Sequence, residues 1–120
     1  MPRTDVVLFA EVGGAVPLLE WLDGQLPKAQ DKCIVRMERL AELGHELRRP
    51  EADYLRDGIY ELRVILQRVH YRMLYFFVEG RAVLSHGLTK EGKVPDVEID
   101  RAIERKVRFE RDPEKHTHRE

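Results

Sequence analysis

A chain of 120 residues, 42% apolar and 36% charged, is long enough for one domain around a single core and too short for two. A formal net charge of −1 argues against indiscriminate nucleic-acid binding. No stretch reaches the roughly 18 uninterrupted apolar residues of a membrane helix, and the opening MPRTDVVLFAEVGG lacks the pattern of a signal peptide. One cysteine, Cys33, excludes an internal disulfide and fits a reducing cytoplasm.

Residues 5–10 (DVVLFA) read as a first strand, broken by Gly13-Gly14. Pro17 suits the first position of a helix in which Leu18, Trp21, Leu22 and Leu26 recur at helical spacing. Pro27 opens a longer helix carrying Cys33, Met37, Leu40 and Ala41 on one face, and Gly44 stands where a C-terminal cap belongs. Two helices in succession form a hairpin that needs a sheet to cover. That sheet is expected from three following strands: YELRVIL, with Tyr60, Leu62, Val64 and Leu66 opposed to Glu61, Arg63 and Ile65; YRMLYFFV, apolar on both faces; and AVLSHGL, with Leu84, His86 and Leu88 together on one face. Glu79-Gly80 is the hairpin turn between the last two. Pro95 opens a final helix whose acids, Asp96, Glu98 and Asp100, lie near its positive end. Asp112-Pro113 ends it. The expectation is an α+β fold, a helical hairpin packed on a small antiparallel sheet in the order β-α-α-β-β-β-α, with a domain over residues 1–112 and a frayed polar tail over 113–120.

Cations interrupt the strands. Residues 56–93 hold seven Lys/Arg against four Asp/Glu, a local excess of three in a chain of net charge −1. Arg63 and Arg72 fall on neighbouring antiparallel strands, on the sheet face away from the hairpin, where two guanidinium groups repel unless an anion or an acid joins them. Two readings stay open: a phosphate-gripping pair, or a salt bridge of Arg63 with Glu61 or with an acid of the last helix. Lys90 and Lys93 sit in the loop before that helix, as anion ligands or as an ordinary solvated turn. His86 suits either a structural role or proton transfer, His70 reads as turn surface, and Cys33 as core. His116 and His118 stand in the tail, and no grouping of His and Cys has the spacing of a metal site, so neither metal nor cofactor is expected. Nucleotide-binding glycine loops and the GxSxG elbow are missing from the sequence. Of Tyr54, Tyr60, Tyr71 and Tyr75, one or two are candidates to stack on a nucleobase while the rest fill the core.

The ordered segments LRRPEADYLRDGIYELR, YRMLYFF and HGLTKEGKVPDVEIDRA resemble the RelE/ParE superfamily of bacterial type II toxins, and within it the HigB-like, phage-related branch. The resemblance covers most of the chain. It implies a RelE-like fold and a cytoplasmic, metal-independent endoribonuclease, an mRNA interferase that inhibits translation and growth. Such a toxin cleaves mRNA on the ribosome by attack of the ribose 2′-hydroxyl, and an antitoxin of helix-turn-helix type silences it. By position it implies that Arg63, Arg72 and Lys90 serve catalysis at the scissile phosphate and His86 transfers protons. Lys93, Tyr60 and Tyr71 would bind substrate. Relatives commonly carry adjacent lysines in the last loop; here Lys90-Glu91-Gly92-Lys93 separates them, and Glu91 either weakens the local field or accepts a proton. A shared fold does not settle activity, so a DNA gyrase inhibitor of the ParE type and a non-catalytic binding module remain the competing expectations.

Overall fold

The computed structural model describes residues 3–119, leaving Met1, Pro2 and Glu120, the outermost residues of the expected domain and tail, outside the described residues. In chain order it runs β1 (Asp5–Phe9), α1 (Pro17–Asp23), α2 (Pro27–Leu43), β2 (Ala52–Arg56), β3 (Ile59–Leu66), β4 (Val69–Val78), β5 (Arg81–Thr89), α3 (Asp96–Arg111) and β6 (Thr117–His118), with 3-10 turns at Gly44–Glu46 and Glu114–His116. The α+β class and the helical hairpin are as expected; the element order and the purely antiparallel sheet are not. Six strands lie in the order β2-β3-β4-β5-β1-β6, and β1 runs parallel to β5. The long connection between those two strands imposes no hairpin geometry, so β1 is free to enter the sheet in either sense.

Three consecutive two-residue turns set the register of the meander. Asp57-Gly58, Gln67-Arg68 and Glu79-Gly80 each have both residues at positive φ, the geometry whose twist matches right-twisted strands. Period-two alternation then divides the side chains between two cores. Leu62, Val64, Met73, Tyr75 and Leu84 pack with Leu18, Leu22, Cys33 and Leu40 on the hairpin side; Val7, Phe9, Ile59, Leu74, Phe76 and Val83 pack with Ile99, Ala102 and Phe109 on the α3 side. β4 is therefore a central strand covered on both faces.

Two local features redirect the site. A bulge at Ser85 breaks the β4–β5 register, with Leu74 opposite His86 but Tyr75 opposite Leu84. One inserted residue reverses parity, so Leu84 enters the hairpin-side core while His86 and Leu88 face α3; the shared face expected for all three is corrected. Gly87 lies under α1, where any side chain would run into the Trp21 indole.

The tail is not frayed. His116 is buried, stacks on Phe9 at 4.9 Å and donates through Nδ1 to the Ala10 carbonyl at 2.8 Å. β6 then pairs with β1, and Arg119 meets Asp5 at 2.7 Å. Composition made this segment look solvated; the ring of His116 is what docks it.

Candidate functional site

Arg63 and Arg72 are directly opposite one another across β3 and β4, on the α3 side, as their parity demands. Their surroundings differ completely. Arg72 is 6% exposed and uses its whole guanidinium inward: Nη1 donates to Glu61 Oε1 at 2.6 Å, Nε to the Lys90 carbonyl at 2.9 Å and Nη2 to the Gly92 carbonyl at 2.6 Å. Glu61, 4% exposed, sits two residues before Arg63 on the same face. It is Arg72, not Arg63, that takes this acid. The repulsion between the two arginines is thereby relieved within the protein, and no external anion is needed to hold them together.

Arg63 is half-buried and, among the described residues, makes no side-chain hydrogen bond or ion pair. Its charge is felt at Asp53, whose carboxyl is held below its ordinary range first by a hydrogen bond from Arg49 and additionally by the charge of Arg63. The local cation excess resolves in the same way. Arg56 is bound by Asp57 and Asp100, and Arg81 lies by Glu79 and over the Phe109 ring. Arg63, Arg68, Lys90 and Lys93 are left without an ion pair among the described residues.

Lys90, Glu91, Gly92 and Lys93 are all exposed. The Lys90 amide donates to the His70 carbonyl at 3.1 Å, Arg72 holds the two loop carbonyls, and buried Val94 anchors the far end. The loop backbone therefore faces inward and its charged side chains face water.

His86 is placed differently from an exposed acid or base. It is 6% exposed; Nε2 donates to Glu98 Oε1 at 3.0 Å, and Nδ1 accepts from the Ser85 hydroxyl at 2.8 Å. A carboxylate only accepts, which fixes this tautomer in the neutral ring. Burial and then the charge of Arg105 pull its pKa down to about 4, against the opposing pull of Glu98. Ser85, fully buried, also accepts from Arg105 at 3.4 Å, so Ser85 and His86 are covered by α3 while Glu98, half-buried on that helix, also takes Arg101 at 2.6 Å.

His70 is the residue that sequence reasoning passed over. It lies inside β4, not in a turn, and pairs in register with Ile65. It shares parity with Arg72 and Leu74, hence the face of Arg63, and its half-buried ring has no side-chain partner among the described residues. Its two-residue spacing from Arg72 was the available signal.

Tyr60 and Tyr71 are not brought to this face. Tyr60 stacks on Tyr75 at 5.3 Å, and Tyr71, buried, meets Trp21 edge-on at 6.3 Å; both lie on the hairpin side, with the sheet between them and Arg63. A groove of about 730 Å³ runs between α1, α2 and β1, and another of about 530 Å³ lies beside His45, Arg48, Tyr54 and Tyr60; neither includes Arg63 or Arg72. Cys33 is buried, and burial pushes its thiol up to about 11, far from a reactive thiolate. Among the described residues no cluster of His, Cys, Asp and Glu is arranged to hold a metal ion, and no helix is long and apolar enough to cross a membrane.

No curated protein matches the chain. Residues 20–107, from within α1 through most of α3, match the family described as Phage derived protein Gp49-like (DUF891), and this span contains every residue of the cation face. The chain belongs to the Gp49-like family of phage-derived proteins, in the RelE/HigB-type toxin-like group associated with the toxins of toxin–antitoxin pairs.

Proposed function

We propose that the chain is a toxin of the HigB-like branch that cleaves mRNA on the ribosome and is silenced by a helix-turn-helix antitoxin, all within the cytoplasm. The observation that carries this reading is the open end of the α3-side sheet face: Arg63 and the imidazole of His70 share that face without side-chain partners among the described residues, and the loop bearing the exposed Lys90 and Lys93 is tied to His70 through its backbone. An open face suits a polymer better than a closed pocket would.

The chemistry follows from these groups. His70 takes the proton of the ribose 2′-hydroxyl as its oxygen attacks the adjacent phosphorus. The new 2′-O–P bond forms, the P–O5′ bond breaks, and an ammonium of Lys90 or Lys93 protonates the departing 5′-oxygen. Arg63, on a strand, stabilises the extra negative charge of the phosphorane-like transition state from a fixed position. His86, buried against Glu98 and Ser85, is given a structural task instead of the acid–base role that the resemblance implied. The antitoxin acts by covering the cation face or by keeping the toxin off the ribosome.

Induction of the chain alone is expected to arrest growth and to yield mRNA fragments cut within translated codons. Arg63→Ala is expected to reduce cleavage by about 10²–10³-fold, as loss of one transition-state donor does. His70→Gln should lower it by about 10²-fold. Arrest with intact mRNA and broken chromosomes would replace this reading with gyrase inhibition. Absence of arrest would leave a binding module.

A further inference from the structure

We infer that Arg72 does not touch the RNA but acts, with Glu61, as a buried strut that positions the loop carrying Lys90 and Lys93. The inference rests on the cleavage reading above and reassigns one arginine within it. Three donors of the Arg72 guanidinium are committed, one to Glu61 and one to each of the carbonyls of Lys90 and Gly92, all at 2.6–2.9 Å. A phosphate would have to displace three charge-assisted hydrogen bonds, of which the one to Glu61 is buried between side chains 7% and 5% exposed.

The geometry also explains what the strut holds. Drawing in the carbonyls of Lys90 and Gly92 leaves Lys90, Glu91 and Lys93 projecting outward, and the Lys90 amide stitches the loop to the strand that carries His70. Loop and imidazole therefore share one frame. Glu61 has two tasks, fixing the guanidinium plane and cancelling its charge beside Arg63. Only a planar fork spans a carboxylate and two carbonyls together; a lysine ammonium at the same place reaches one or two of them at most.

The test compares the intact protein with Glu61→Gln and Arg72→Lys, each first shown to be folded by its circular dichroism. Amide hydrogen exchange is read at residues 90–93, and binding and cleavage are read with a single-stranded RNA oligonucleotide and programmed ribosomes. The strut predicts at least tenfold faster exchange at the Lys90 amide in both variants. It also predicts at least a tenfold fall in kcat with KM changed less than threefold, because misplacement of reacting groups lowers turnover more than binding. Arg72→Lys, which keeps the charge, should give no rescue. The inference is overturned if Glu61→Gln binds RNA more tightly while the loop amides stay protected, since a freed Arg72 would then be gripping phosphate. It is equally overturned if Arg72→Lys retains cleavage and loop protection. If Glu61→Gln does not fold, Arg72→Lys decides alone. Wild-type protein that cleaves no RNA would sink the nuclease reading, and the exchange rates would still decide the strut.

Discussion

The α3-side face of the sheet has two ends that share β4 and have opposite outcomes. Under α3, Phe9, Leu74, Phe76 and Val83 are closed over by Ile99, Ala102 and Phe109, and the polar groups caught there, Ser85, His86, Glu98 and Arg105, bond to one another. Past the loop of residues 90–95, β3 and β4 carry Arg63, Ile65 and His70 toward solvent. The alternation of side chains along β4 continues unbroken across the boundary, and only the cover changes. A buried polar group must find a partner inside the protein, whereas an exposed cation is free to wait for one from outside. Arg72 stands on the boundary and behaves as the covered end requires; Arg63, directly opposite, behaves as the open end allows.

The sharpest way to break this contrast is to open the covered end. Phe109 is fully buried and meets Phe76 edge-on at 6.1 Å. Phe109→Ala is expected to lower unfolding stability by about 3–5 kcal/mol, read from urea melts. A loss under 1 kcal/mol would mean that the covered end is not packed as described.

Acid attacks the same end through His86. The folded ring titrates at about 4, below its ordinary 6.5, so the unfolded chain binds the proton more readily. The contribution of neutral His86 is therefore complete above pH 6.5 and is lost as pH falls toward 4, amounting to about 3 kcal/mol. The groups facing it are Ser85, Glu98, Arg101 and Arg105. His86→Gln should flatten that part of the stability–pH curve, and an unchanged slope would show that His86 is not the group responsible.

Much of this architecture is legible in the sequence, and the exceptions have physical reasons. Pro17, Pro27, Gly44 and Pro95 bracket the three helices close to where they fall, and the strands of the meander follow from alternation. β2 and β6 escape because a five-residue edge strand reading ADYLR and a two-residue strand carry too little pattern. The Ser85 bulge has no compositional cue, so His86 was expected beside Leu84 when it actually faces α3. That Arg63 and Arg72 share a face was readable; which of them takes Glu61 was not, because the choice is made by carbonyls 18 and 20 residues further along the chain. Tyr60 and Tyr71 illustrate the opposite failing. Their parity with Leu62 and Met73 already assigned them to the hairpin side, and the substrate-binding role expected of them leaves that parity out of account.

The smallest effect probes the open end, and its sign is the informative part. Gln67 and Arg68 join β3 to β4 with φ of 50° and 68°, a turn in which glycine is the favoured second residue. Holding an L-residue in the left-handed region costs about 1–2 kcal/mol, and glycine gives back roughly 0.5–1 kcal/mol through the greater freedom of its unfolded chain. Arg68→Gly should therefore stabilise the protein by about 0.5 kcal/mol in urea melts. Arg68 has no ion pair to lose among the described residues, so nothing in the folded protein offsets that gain. If this turn cation, beside the strands that carry Arg63 and His70, also contacts the RNA, the same change should reduce the salt dependence of single-stranded RNA binding by about 0.7 in log–log slope. Under that reading, a cation at a turn position where it weakens the fold serves the ligand and not the fold. If Arg68→Gly instead destabilises the chain, or leaves the salt slope untouched, Arg68 belongs with the structural residues and the boundary between the two ends moves to Arg63.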